Sequence, residues 1–274
     1  MKISTRTRAI FLASSIALVF FIFQGVDFLD ILNINFEFDF VKMSILALIM
    51  YVGLLWVVNF RVRGERFITV LLFPSLAIFV LTLYVNLLIE SILSSVDKVA
   101  GEVVASLFVA VFAYILILTA NILNIGFLQK VPLTQAGRAA HYVLTLIIAY
   151  LFFSLLFSNP IPFIIKVVSV FGLSYLFSII ALWNIEIKYY QRIVASFGIG
   201  MMMGICSFVL ILWPVGSDYV ALILSLLFYM ALGLALEIRE VLSKRVWLEY
   251  FFLYSLIILI LFIISEWGIN GRLI

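Results

Sequence analysis

The sequence has few of the residues that a soluble domain needs on its surface. Only 11% of its 274 residues are charged, whereas about a quarter are charged in an ordinary soluble domain. Hydrophobic residues make up 66% of the chain, and long apolar runs recur from Ala9 to Ile264. Because so little polar material cannot cover a globule of this size, the composition excludes a soluble protein and indicates that lipid surrounds most of the chain.

Two residue types that often carry chemistry occur only once each. Cys206 lies alone inside an apolar run, which excludes an intrachain disulfide. His141 has no second ligand within reach in the sequence, and the chain contains no zinc-ligand pair, phosphate-binding glycine loop or nucleophile elbow. The net charge of +3 is small and the basic residues form no stripe. We therefore predict no metal, no cofactor and no nucleic-acid partner.

The apolar runs predict an all-α bundle of nine transmembrane helices in a single integral membrane domain, residues 1–274. A bilayer core about 30 Å thick needs roughly 20 residues of helix. The predicted spans are residues 9–23, 41–60, 67–89, 103–123, 139–158, 161–183, 193–213, 219–236 and 246–267. The fifth is the weakest, because the uninterrupted apolar run covers only residues 142–157 before an Asn-Pro-Ile-Pro turn. A short or re-entrant fifth helix is the alternative there.

The basic residues predict a cytoplasmic N-terminus and an outer C-terminus. Lysine and arginine in short loops stay on the cytoplasmic face. With nine spans, thirteen of the 17 basic residues lie inside, and the four outside are Lys42, Lys98, Lys166 and Arg272. Tryptophan settles at the headgroup boundary, and all five tryptophans lie near span ends: Trp56, Trp183 and Trp247 on the inner side, Trp213 and Trp267 on the outer side.

Charges are missing from the centre of the predicted spans. No aspartate or glutamate lies near the middle of any span, which argues against a proton-coupled pump because such pathways use acidic groups at that depth. Lys166 is the charge that falls inside an apolar run. We interpret it as a side chain whose long stem carries the ammonium out to the headgroups.

Pro74 lies inside the third predicted span. It removes one backbone hydrogen bond and is expected to kink the helix, which would open a cavity between helices. By position, Tyr84, Asn86 and Tyr114 are the candidates for lining such a cavity. A purely structural kink, with Asn86 hydrogen-bonding between helices, is the simpler interpretation.

In the seventh span Ser196, Gly200 and Gly204 recur every fourth residue. Small residues at this spacing form a smooth face that lets another helix approach closely. We interpret the three as a helix-packing face, with an oligomer interface as the alternative.

The first outer segment, residues 24–40, is acidic. It carries Asp27, Asp30, Glu37 and Asp39, and from Asn33 to Phe40 it alternates apolar with polar residues, which predicts an extended strand-like segment. Paired carboxylates at a membrane surface can bind a divalent cation or act as a general base. This layout resembles that of integral membrane glycosyltransferases, whose first outer loop is acidic, although the resemblance covers under a tenth of the chain and their large outer loops are missing here.

These features favour a non-enzymatic function: a small transporter, or a non-catalytic subunit that helps to assemble or anchor a membrane complex. The alternative is a membrane enzyme that acts on a lipid-linked substrate at the outer face through Asp27, Asp30, Glu37 and Asp39. The simplest interpretation of that segment is a solvated acidic loop that helps to fix topology. The expected partners are the lipid bilayer and either other membrane proteins or a second copy of the chain, and the expected location is a bacterial cytoplasmic membrane.

Overall fold

A computed structural model of the chain describes residues 4–25, 38–60, 62, 67–92, 98–128, 133–183, 189–213, 215–237 and 244–264. Nine α-helices lie within these ranges: α1 Thr5–Gly25, α2 Phe38–Val57, α3 Phe73–Ile92, α4 Lys98–Leu128, α5 Leu133–Ser158, α6 Phe163–Leu182, α7 Tyr189–Leu212, α8 Ser217–Glu237 and α9 Lys244–Ile264. Helices α1 to α8 are long and apolar enough to cross a bilayer. The all-helical membrane architecture is thus confirmed, while the ninth span and the orientation of the termini stay predictions.

The fifth helix is long: α5 begins at Leu133, six residues before the predicted start, and its apolar stretch Gln135–Ser158 is long enough for a full crossing, so the alternative of a short helix does not hold. One sequence-based expectation about these elements was wrong. Residues 38–40 are not extended, because they form the first turn of α2. Asp39 suits that turn, since a carboxylate is stabilised at the positive N-terminal end of a helix. The rest of the alternating segment lies outside the described residues.

A π-helical turn, Ile68–Leu72, leads into α3 directly before Pro74. Within it the Phe73 N–H donates to the Ile68 carbonyl, five residues earlier. Proline has no N–H, and its ring clashes with the carbonyl one turn before it in a regular α-helix. A wider turn at this place relieves the clash, and π-helical turns of this kind are frequent at functional sites.

The chain divides into two compact units, residues 1–144 and 145–274. In the first unit α1 packs against α2 and α4, and α3 packs against the same two helices, so the four helices close into a ring. Its interior is filled by fully buried apolar side chains such as Phe20, Met50, Ile78 and Ile117. Consecutive helices in this ring run in opposite directions, because each is joined to the next by a short connection.

In the second unit α6 and α7 form an antiparallel hairpin, and α8 packs on both. Ring contacts fix the direction: Tyr175 lies against Phe197, while Phe163 lies against Phe208. As numbers rise along α7 they fall along α6, as an antiparallel pair requires. The prediction of one membrane domain over residues 1–274 stays a prediction.

Candidate functional site: a polar cluster at one end of the first unit

Five polar side chains lie at the end of the first unit where α1 and α3 end and α2 and α4 begin. They are Gln24 of α1, Asp39 and Lys42 of α2, Asn86 of α3 and Glu102 of α4, and we call them the polar end cluster. The alternating helix directions place these four helix ends together. The cluster is therefore a product of the ring topology, and its members come from segments up to 78 residues apart in the sequence (102 − 24).

A chain of hydrogen bonds joins three of these helices. The Gln24 Nε2 donates to the Asn86 Oδ1 at 2.7 Å, and the Asn86 Nδ2 donates to the Asp39 Oδ2 at 3.1 Å. Asn86 thus uses both its acceptor and its donor to hold α1 and α2 against α3. A hydrogen bond to a carboxylate is stronger than one between neutral groups, so Asn86 fixes where the Asp39 carboxylate stands.

Lys42 binds the C-terminal end of the preceding helix. Its Nζ donates to the Phe23 carbonyl at 3.0 Å. Phe23 is in the last turn of α1, where carbonyls have no partner within the helix and carry partial negative charge. The ammonium therefore satisfies one of these carbonyls and is stabilised by the dipole of α1.

The members of the cluster differ in exposure. Lys42 is 9% exposed, Asn86 8% and Glu102 5%, while Asp39 is exposed. With two carboxylates and one ammonium, the cluster has a formal charge of −1. Within the described residues no group of three or more His, Cys, Asp or Glu side chains is arranged to hold a metal ion. The arrangement instead offers both hydrogen-bond donors and acceptors at the edge of an apolar bundle.

Buried hydroxyl groups continue from the cluster along one face of α3. Ser75, Thr82 and Asn86 are spaced by seven and four residues, which places them on the same side of a helix. The Ser75 Oγ donates to the Leu71 carbonyl and the Thr82 Oγ1 to the Ile78 carbonyl, at 2.8 and 2.7 Å. Their protons are satisfied, and each oxygen keeps lone pairs that can accept a further hydrogen bond.

At the opposite end of the same ring, α4 carries a buried amide. Asn124 is 4% exposed, and its Oδ1 accepts no hydrogen bond from any residue that the structure describes. Leaving a buried acceptor without a partner costs about 1–3 kcal/mol. Nearby in the chain, His141 of α5 is buried with its ring 4.5 Å from the Phe73 ring, in a T-shaped contact.

The acidic residues singled out from the sequence are only partly described. Asp27, Asp30 and Glu37 lie outside the described residues, and Asp39 belongs to the polar end cluster. Asn86, proposed as a cavity residue, is the centre of that cluster. Of the other cavity candidates, Pro74 is buried near the start of α3, and Tyr84 and Tyr114 are half-buried on α3 and α4. Their role as cavity residues stays a prediction.

Two cavities of the described residues lie elsewhere. One, of about 490 Å³, lies between α1 and α2, and the other, of about 360 Å³, lies between α6 and α7. Neither is lined by Pro74, Tyr84, Asn86 or Tyr114. The second has Gly204 and Phe171 in its lining and presents only apolar groups besides.

The small residues of α7 face α6 of the same chain. Ser196 is fully buried, and a Cβ atom on Gly200 would lie 3.1 Å from the Phe171 carbonyl oxygen. A Cβ on Gly204 would lie 3.3 Å from the Phe171 Cβ. The face that these residues form is thus occupied within the second unit by α6.

Sequence reasoning missed Gln24, Lys42 and Glu102 as site residues. Lys42 and Glu102 each stand four positions inside the helix to which they belong. The sequence does contain a signal for Lys42 and Glu102, namely a charged residue about one turn inside an apolar helix. That signal was interpreted only at Lys166. That lysine behaves like Lys42, since its Nζ lies 3.4 Å from the carbonyl of Phe157 in the last turn of α5.

The fold and this cluster define the chain as a multi-spanning α-helical membrane protein with charged groups buried at the end of a four-helix ring. No protein-family model, no curated protein and no solved structure matches the chain. Its function therefore has to be argued from its own residues.

Proposed function

We propose that the chain is a small transporter that moves a polar solute through the four-helix ring of its first unit. The observation that carries this proposal is the series of buried polar groups on the helices of the ring. It begins at the polar end cluster, continues with Thr82 and Ser75 of α3, and reaches Asn124 at the opposite end. A bundle that only needed to pack would gain stability from apolar groups at these positions.

The charges of the cluster suggest the class of solute. Lys42 is engaged with the Phe23 carbonyl, whereas the exposed Asp39 carboxylate faces the surroundings from a position fixed by Asn86. A cluster with two carboxylates and one ammonium attracts a small solute that carries an amine. The π-helical turn before Pro74 supports the proposal, because a helix with an irregular turn can change its packing at that point.

Uptake into proteoliposomes tests the proposal. We expect the purified chain to take up at least one radiolabelled member of a panel made of ethanolamine, putrescine and glycine. Asn86→Leu removes the hydrogen bonds of the central amide to Gln24 and Asp39 and should lower the initial rate at least about tenfold, the effect of losing roughly 1.4 kcal/mol of binding. Asn121→Leu, the same substitution on a half-buried residue of α4 outside the cluster, should leave the rate within about twofold.

Failure of the whole panel, or equal loss of uptake in both variants, would contradict a transport path through the cluster. A non-catalytic subunit would then be the better interpretation. In that case the chain should copurify from native membranes with a fixed stoichiometry of another membrane protein.

A membrane enzyme that acts on a lipid-linked substrate is the second candidate. One observation favours it: Asp39, a residue of the acidic outer segment, is exposed and oriented by Asn86, as a general base would need to be. If Asp39 acts in this way, Asp39→Asn should abolish activity toward a lipid-linked sugar in vesicles. Full activity in that variant would end the enzyme proposal.

The proposed topology is nine spans with the N-terminus inside and the C-terminus outside, in a bacterial cytoplasmic membrane. The short connections and the excess of basic residues on one side support it. In this orientation the polar end cluster faces the outside of the cell.

A further inference from the structure

A groove on the outside of the first unit combines an apolar channel with a cation at one end. The groove lies between α1 and α2, has a volume of about 490 Å³, and its lining includes Phe11, Leu12, Leu48 and Val52. Phe11 is 65% exposed and Val52 56%, so the groove opens away from the interior of the ring. Its size falls in the range of small-molecule sites, roughly 300–1,000 Å³.

The groove has space because two of its lining residues, Gly53 and Ser15, are small and lie among larger apolar side chains. A Cβ on Gly53 would lie 2.2 Å from the Leu12 Cδ1, so the Leu12 side chain of α1 packs directly on this glycine of α2 at the floor. Ser15 stands in the lining, and its Oγ donates to the Phe11 carbonyl at 2.8 Å. With that hydroxyl turned to its own helix, the walls offer a ligand mainly hydrocarbon.

Arg8 lies at one end of this groove, over the aromatic ring that closes it. Its guanidinium carbon is 5.2 Å from the centre of the Trp56 ring, and Trp56 and Phe11 pack edge to face at the groove's rim. Cations are held over tryptophan by the ring's quadrupole. The cation is thus fixed beside the apolar channel.

The protein uses only part of the Arg8 guanidinium. Nη1 donates to the Trp56 carbonyl at 3.1 Å and to the Asn59 Oδ1. Asn59 adopts a φ of 54° just after α2 ends, which places its side chain within reach of Arg8. Nη2 makes no hydrogen bond to a residue that the structure describes, and neither does the buried Nε, so three of the five donors of this half-buried, oriented guanidinium remain, two of them on Nη2.

We propose that this groove binds an anionic phospholipid of the surrounding membrane. One acyl chain fills the channel between α1 and α2, and the headgroup phosphate accepts hydrogen bonds from Nη2 of Arg8. Charge complementarity selects the occupant: a guanidinium over an interfacial tryptophan matches a phosphate, whereas a purely apolar partner helix would leave the cation unpaired. Basic groups between transmembrane helices bind anionic headgroups in this way.

Quenching of Trp56 fluorescence by lipids brominated on the acyl chain tests the proposal. The full chain is reconstituted in phosphatidylcholine vesicles that contain an equal small mole fraction of either brominated phosphatidylglycerol or brominated phosphatidylcholine. The contribution of Trp56 is obtained by subtracting the signal of Trp56→Phe. We expect the anionic lipid to be enriched about fivefold at Trp56, the attraction of one basic side chain for an anionic surface.

Two variants separate the headgroup from the acyl chain. Arg8→Gln should lower the enrichment to about onefold, whereas Arg6→Gln, at an exposed arginine one half-turn away, should leave it near fivefold. Ser15→Leu fills the channel with Arg8 intact and should reduce quenching by both lipids. Arg8→Gln alone is insufficient if that variant fails to fold, and the Ser15 variant then carries the test.

Three results would overturn the proposal. Equal quenching by the two lipids in the unmodified chain would mean that the groove is covered by protein or does not select charge. Equal loss of enrichment in Arg6→Gln and Arg8→Gln would reduce the effect to general surface charge. Unchanged quenching in Ser15→Leu would place the lipid outside the groove.

Discussion

Substitution of Gly200 by leucine should separate α6 from α7. A Cβ on Gly200 would lie 3.0 Å from the Tyr175 Cβ and 3.1 Å from the Phe171 carbonyl oxygen. Carbon atoms pack best at about 3.5–4.0 Å, so even the first added atom requires a shift of about half an ångström. The Phe171 oxygen belongs to the backbone of α6, and therefore the helix has to move.

The expected magnitude follows from this geometry. Overpacking a well-packed interior costs about 1–3 kcal/mol, and leucine adds three carbons beyond the Cβ in the same direction, so we expect the upper end, about 3 kcal/mol. Gly198 is the matched control. It lies two residues away on the same helix, where a Cβ would meet nothing within 4 Å. Gly198→Leu should be neutral or stabilising by up to about 1 kcal/mol, because leucine favours helix more than glycine does.

The assay is reversible unfolding of the purified chain in mixed detergent micelles, followed by circular dichroism as sodium dodecyl sulfate is added. The free energy of unfolding of the two leucine variants should differ by about 3–4 kcal/mol. If both variants unfold at the same detergent fraction, the contact between α6 and α7 at Gly200 is not close in solution. The packing of the second unit described above would then be wrong.

Three further predictions concern topology, the helix end at Lys166 and the buried amide at Asn124. In a Cys206→Ser background, Gln129→Cys should react with a membrane-impermeant maleimide only after the cells are opened, whereas Asn35→Cys should react in intact cells. Labelling of Gln129→Cys in intact cells would refute the proposed orientation. Lys166→Met should lower the free energy of unfolding by about 0.5–1 kcal/mol through loss of the favourable charge at the C-terminal end of α5, and Lys166→Arg should restore most of it. Asn124→Leu should raise stability by about 1 kcal/mol in the same unfolding assay, because it removes a buried acceptor without a partner, and should lower solute uptake; increased stability with full uptake would remove Asn124 from the proposed path.

The helices were predictable because the bilayer imposes simple rules. The lipid interior fixes the length of a span and forces the backbone to satisfy its own hydrogen bonds, so apolar runs alone marked α1 to α8 to within a few residues. The boundaries that differed are those where polar residues continue a helix. Leu133 to Ala140 includes Gln135 and Arg138, and it extends α5 beyond its apolar run. At the start of α5, the polar residues mark where contact with lipid ends, but the helix continues beyond them.

The polar end cluster was not predictable in the same way. Gln24, Asn86 and Glu102 lie on three different helices, α1, α3 and α4, and their meeting depends on the closure of α1 to α4 into a ring. A single sequence shows which residues share one helix face, but it contains no signal for which helices are neighbours. For the same reason, the four-residue repeat of Ser196, Gly200 and Gly204 predicted a packing face but did not identify α6 as the helix that packs against it.

Lys42 and Lys166 bind to the last turn of the helix that precedes each of them, and both are lysines on the side that the distribution of charge assigns to the outside. The acceptor of each ammonium exists only after the earlier helix has formed and stopped. We expect α1 with α2, and α5 with α6, to enter the bilayer as paired hairpins during synthesis, since an isolated second helix would leave its ammonium without this carbonyl partner. Such pairing also offsets the cost of retaining a positive group on the less favoured face, and it gives each lysine a role in the order of membrane insertion.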